Sequence, residues 1–164
     1  MHIPAQSKLK SVRTLVASAL LGLSTLGGIS TAVAADGYVA TSNQVATKSD
    51  TPLAETQQSI SVVTTQQMRD QGAETLGQAL SYTAGVVSEP YGSDPRFDSP
   101  TIRGFEARSA QYVNGLRQLR YMGAPAYETY GIQQVEVLRG PSSSLYGAGA
   151  PAGIINQIQK RAQD

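Results

Sequence analysis

Residues 131–161 hold a strand, a short helical turn, a glycine-rich turn and a second strand in one unbroken run, and that run limits the architectures open to the chain. In its first half Gln133, Gln134 and Glu136 alternate with Val135, Val137 and Leu138, the pattern of a half-buried strand. Pro141 can open a helical turn, because the N–H it lacks would be unpaired there in any case. Gly147 can end the turn by taking a left-handed conformation. Gly149, Pro151 and Gly153 then turn the chain into a second strand carrying Ile154, Ile155 and Ile158.

Upstream, turn residues divide the sequence into short elements. Residues 35–49 are polar and poor in bulky apolar side chains, so they read as an extended, mobile N-terminal segment. Residues 59–63 alternate cleanly as a strand. Thr64 or Thr65 can cap a short helix over 66–70, which Gly72 ends. A second helix is expected over 74–81, with Leu76, Ala79 and Leu80 on one face. Val86 and Val87 open a strand that gives way to the loop 88–100. Residues 101–105 read as a short strand, and 110–119 as a hairpin turning at Asn114-Gly115. The loop 120–131 is rich in Tyr, Gly and Pro. The sum is an α+β domain, a small mixed sheet of about four strands flanked by short helices.

Lys8, Lys10 and Arg13 precede a mostly apolar run from 15 to 29, and Ala32-Val33-Ala34 ends it with small residues. This is the pattern of a secretory signal, residues 1–34, cleaved after Ala34. Ser18, Ser24, Thr25, Gly27 and Gly28 interrupt the run and make it a poor membrane span. Residues 35–164 carry ten bases against twelve acids, a net charge of −2, so nucleic acid is not an expected partner. They include neither His nor Cys, which excludes Ser-His-Asp and Cys-His catalysis and the usual zinc sites. A carboxylate pair such as Asp94 and Asp98 lies in a loop punctuated by Pro and Gly, and it reads as solvated rather than catalytic. No enzyme is expected.

Local physics leaves unexplained why the closing run should read Leu138-Arg139-Gly140-Pro141-Ser142-Ser143-Ser144-Leu145-Tyr146-Gly147. That string resembles the end of the plug domain of TonB-dependent outer-membrane receptors, which import ferric siderophores. The resemblance extends in order over residues 46–160. The stretch 46–68 is similar to the opening strand and helix of the plug, and 72–86 to its next helix. Ile102-Arg103-Gly104-Phe105 and Tyr112-Val113-Asn114-Gly115-Leu116 come next, then the closing run. On this basis residues 35–49 are expected to hold the candidate TonB box, and residues 50–164 the plug.

The resemblance implies a set of roles. Apical plug loops form the floor of the siderophore site, which by position makes Tyr91, Arg96, Phe97, Arg108, Tyr121 and Met122 the expected ligand contacts. Aromatic rings and guanidinium groups suit an oxygen-rich, often aromatic ligand. The siderophore holds the iron, so no protein cofactor or metal ligand is implied. Arg103 and Arg139 are expected to face glutamates of the barrel wall, with Glu136 nearby. Tyr38, Val39, Ala40 and Thr41 are the candidate for strand addition to the periplasmic protein TonB. Tyr82 and Tyr146 are expected to pack beside helices.

The pattern also breaks. A barrel of about twenty-two strands needs over two hundred residues in strands alone, and 164 residues leave no room for one. The expected reading is therefore a receptor plug cut short before its barrel, residing in the outer membrane when that barrel encloses it. The alternative is a free-standing periplasmic module that binds a siderophore or TonB. Gln134 stands where the family has a basic residue. Ala152 stands where it has a second glycine, in a turn expected to be strained by a Cβ.

Overall fold

The computed structural model describes residues 37–92, 98–119, 128–148 and 151–162. The expected signal segment 1–34 lies outside them, and residues 34–164 form one unit of the chain. The main sheet has five strands, one more than the sequence suggested. They are β3 (Ser59–Thr64), β7 (Gln111–Val113), β8 (Leu116–Arg117), β9 (Ile132–Arg139) and β10 (Gly153–Gln159), in the order β3-β9-β10-β7-β8. All neighbours are antiparallel except β10 and β7. A two-stranded ribbon joins β1 (Ser42–Asn43) to β2 (Thr51–Pro52), and a three-stranded sheet holds β4 (Val86–Val87), β5 (Thr101–Ile102) and β6 (Phe105–Glu106).

The short helices start where side chains can satisfy their first N–H groups. Thr64 caps α1 (Thr65–Asp70) by accepting from the Gln67 amide at 3.3 Å. Thr75 caps α2 (Leu76–Ala79) in a reciprocal box with Gln78, and Met68, Leu76, Ala79 and Leu80 turn into the core. α3 (Ser143–Tyr146) ends at Gly147, whose φ is 70°. Pro141 lies just outside this helix rather than opening it.

Four sequence expectations change. The stretch 101–105 is not one strand but a hairpin, because Arg103 and Gly104 take φ of 50° and 84° and reverse the chain between β5 and β6. Strand β9 is buried on both faces rather than one: Val135 and Val137 are fully buried, and so is Glu136 between them. The face that should have met water is covered by residues 43–46, where Asn43 and Val45 are fully buried. The extended N-terminal segment therefore stops short of residue 49, since from Ser42 the chain is built into the domain. Finally, Ala152 is not where the closing turn needs glycine. That position is Gly153, with φ of 141°, where an added Cβ would stand 2.0 Å from the Leu138 carbonyl oxygen.

Candidate functional site

Arg103 and Arg139 come from different sheets and converge beside Gly85. An added Cβ there would lie 3.5 Å from Cδ of Arg139 and 4.0 Å from Cγ of Arg103. The hairpin turn presents Arg103, whose amide donates to the Gly85 carbonyl at 2.8 Å. Arg139 ends β9 opposite Ser59, half-buried, and its Nη1 and Nη2 both donate to the Ser61 hydroxyl. Burial, and then the neighbouring Arg103 charge, lower the pKa of Arg139 from its ordinary value. Among the described residues, no ion pair reaches either guanidinium. Two like charges held together, one partly out of water, make a site that calls for an anion.

Glu136 does not join them. Its Oε1 accepts from the Gln44 amide and from Gln134 Nε2, both at 2.8 Å, and its Oε2 accepts from Asn156 Nδ2 at 3.2 Å. The expectation of a barrel-facing Glu136 is corrected by this burial. The carboxylate is turned into the domain, because the chain at 43–46 offers it a donor and shuts out water.

The expected ligand contacts are described only in part. Arg96, Phe97, Tyr121 and Met122 lie outside the described residues. Tyr91 is exposed at the mouth of its loop. Arg108 is tied down, with Nη2 2.6 Å from Glu106 Oε1 and Nε 3.3 Å from the Ser99 hydroxyl. Asp98 is buried rather than solvated: Oδ1 accepts from the Gly77 amide at 3.0 Å, near the start of α2, and its carbonyl accepts from Gln111 Nε2 at 2.9 Å. It anchors one foot of the loop.

In the coupling segment, Tyr38 and Val39 are exposed. The Tyr38 hydroxyl donates to Asp70, and that hydrogen bond is the main cause raising its pKa. A groove of about 230 Å³ runs between this segment and Thr65, Gln66, Gln133 and Gln134, with a mixed polar and apolar lining that includes Val39 and Ala40 and no charged residue. Tyr146 packs as expected, while Tyr82 does not and stands 82% exposed. Sequence reasoning also passed over Leu116, Leu119 and Phe105, all exposed. Leu116 and Phe105 lie in the two-residue strands β8 and β6, and Leu119 lies past β8, so each has little to pack against.

Residues 52–154 match the TonB-dependent receptor plug domain family. The chain belongs to that family. It is 41% identical over 132 residues to the ferrioxamine receptor of Yersinia enterocolitica, covering 77% of this chain and 19% of the relative. It is 39% identical over 119 residues to the ferrichrome outer membrane transporter/phage receptor of Escherichia coli K12, covering 70% and 16%. Among solved structures, the open form of the ferric-catecholate import receptor Fiu from E. coli K12 superposes with a TM-score of 0.58 at 34% identity, covering 69% of this chain and 16% of that one. The plug thus spans less than a fifth of the length of these relatives. They are receptors and transporters, and the plug is not an enzyme.

Proposed function

We propose that this plug closes the lumen of an outer-membrane β-barrel of about twenty-two strands and gates the energy-coupled uptake of a ferric siderophore. The siderophore rests on the loops around Tyr91–Phe97, Glu106–Arg108 and Arg120–Met122, and it keeps the iron in its own donor set. TonB engages residues 38–41 by strand addition, a mode that needs an accessible backbone and little sequence specificity. A signal over residues 1–34 directs the chain out of the cytoplasm.

The observation that carries this reading is the Arg103–Arg139 pair beside Gly85. A half-buried guanidinium next to a second positive charge is unfavourable unless an acid from elsewhere completes it. Glutamates of an enclosing wall would do so and would orient the plug. The exposed Leu116, Leu119, Phe105 and Tyr130 support enclosure as well, and they disfavour a free-standing periplasmic module.

Calorimetric titration of the chain with ferrioxamine B, with a ferric catecholate and with the periplasmic domain of TonB tests the reading. Saturable binding of TonB and of one siderophore class is expected. If TonB fails to bind, the coupling role is wrong. If neither siderophore binds even after the chain is joined to a barrel, the transport role is wrong.

A further inference from the structure

Residues 42–46 cross the buried polar face of the main sheet and are held there from two sides. Glu136 Oε1 accepts the Gln44 amide at 2.8 Å, and the Tyr146 hydroxyl donates to the Val45 carbonyl at 2.9 Å. Val45, fully buried, supplies the apolar contact between these bonds. Within the ribbon, Asn43 makes the stretch rigid: Oδ1 accepts the Ala46 amide at 3.1 Å, and Nδ2 donates to the Thr51 carbonyl at 3.2 Å and to the Thr56 hydroxyl at 2.9 Å. Residues 42–56 are thus a self-bonded unit. Gln57 and Gln58, both exposed, join it to β3.

The attachment differs in kind from the sheet beneath it. Strands β3, β9 and β10 are joined along six and seven paired positions, whereas the ribbon has no strand pairing with the sheet and is held by the two clasping hydrogen bonds, by the buried stretch Asn43, Val45 and Ala46, and by Lys48 over the Tyr146 ring. Regions with few buried contacts open at lower free energy than the core they cover. Beneath the ribbon, Glu136 keeps two further donors from the sheet, Gln134 and Asn156, and Asn156 Oδ1 in turn accepts the Gly115 amide at 2.9 Å. Lifting the ribbon therefore admits water to one side of a carboxylate that stays hydrogen-bonded on the other, so opening strands no bare charge.

We propose that residues 42–56 form a releasable strap, clasped by Glu136 and Tyr146, which lifts as a unit while the five-stranded sheet stays intact. Under the reading that residues 38–41 engage TonB, on which this second consequence rests, the strap sets how far the coupling segment can extend from the plug. In the clasped state its reach is fixed at Thr41, whose carbonyl accepts the Leu53 amide at 3.0 Å; in the released state it is fixed at Ser59.

Amide hydrogen exchange on the chain, followed residue by residue across low urea concentrations, tests the strap. The Gln44 amide is expected to exchange at least about tenfold faster than the β9 and β10 amides, and with little urea dependence, as for an opening that exposes little surface. Tyr146→Phe or Glu136→Ala should speed Gln44 exchange about fivefold, the scale of one net hydrogen bond. If Glu136→Ala does not fold, Tyr146→Phe carries the same test. If Gln44 follows the same urea dependence as Val137 and Ile155 at every concentration, the strap is part of the sheet's cooperative unit and the proposal is wrong. Equally, if neither substitution moves Gln44, the clasp is misassigned. Adding the TonB periplasmic domain separates the two levels. Binding that accelerates Gln44 exchange supports the coupled strap, and binding that leaves it unchanged removes the link. Failure to bind overturns the coupling reading, while the urea dependence still decides the strap.

Discussion

The ring of Tyr112 meets that of Tyr146 edge-on, with centroids 4.7 Å apart and planes at 70°. One ring comes from β7 and the other from α3, so this contact fastens the short closing helix to the sheet. Lys48 adds a cation over the Tyr146 ring, 4.8 Å from its centroid.

Tyr146 should give the domain a measurable alkaline limit. Burial first, then the Glu136 charge and Tyr112, push its pKa up to about 12 from an ordinary value of 10. A raised folded-state pKa contributes stability that is complete below pH 10 and is lost as the pH climbs towards 12, at up to about 1.4 kcal/mol per pH unit for one group. Tyr146→Phe should cost about 1 kcal/mol at pH 8, where the hydroxyl bonds the Val45 carbonyl. Urea denaturation of both proteins at several pH values should show that gap closing, then reversing, above pH 10. A gap constant with pH would contradict the buried neutral phenol.

Gly153→Ala should destabilise the domain by at least about 3 kcal/mol, since φ of 141° is strained for a side chain and the new Cβ strikes the Leu138 carbonyl. Gly72→Ala is the matched control. Its φ is 61° with nothing within 4 Å, so strain alone applies, about 1–2 kcal/mol. Equal losses in urea denaturation would mean that the close approach at Gly153 is not real.

Asp98 should behave as an anchor rather than a solvated loop acid. Asp98→Ala removes the acceptor facing the Gly77 amide and should cost about 1–3 kcal/mol, while Asp98→Asn keeps an oxygen there and should cost less. Thermal melts of the two variants compare these directly. Indistinguishable melts for Asp98→Ala and the parent chain would return Asp98 to solvent.

Arg103 should be dispensable to the plug by itself. Arg103→Gln removes a like charge from beside Arg139 and should change the stability of the chain by no more than about 0.5 kcal/mol. A loss above about 1.5 kcal/mol would mean that Arg103 is satisfied inside the domain, leaving no need for an acid from an enclosing wall.

The elements that were legible in the sequence carried their own local chemistry. Asn114-Gly115 announced its turn through residues that tolerate φ of 49° and 78°, and Thr64 announced its helix through a hydroxyl suited to capping. The closing strand pair was legible from its period and its turn residues. The features that stayed hidden depended on partners distant in sequence. Nothing near Glu136 shows that Gln44, 92 residues earlier, will donate to it, so an acid in an alternating strand read as exposed. The Arg103-Gly104 turn was hidden because arginine rarely takes positive φ, and only the pairing of β5 with β6 requires it. The convergence of Arg103 and Arg139 was not legible: the resemblance gave each a role at a barrel wall, and no spacing in the sequence brings the two together.

The most direct test is uptake. The chain is joined in frame to the β-barrel of the Yersinia enterocolitica ferrioxamine receptor, in cells lacking their own receptor, and radioactive iron supplied as ferrioxamine B is followed with and without TonB. Uptake that requires TonB, and that falls when Arg103 and Arg139 are both replaced by Gln, is the expected result. A chimera that reaches the outer membrane folded yet imports no iron, or imports it equally without TonB, would contradict the plug's proposed role as an energy-coupled gate.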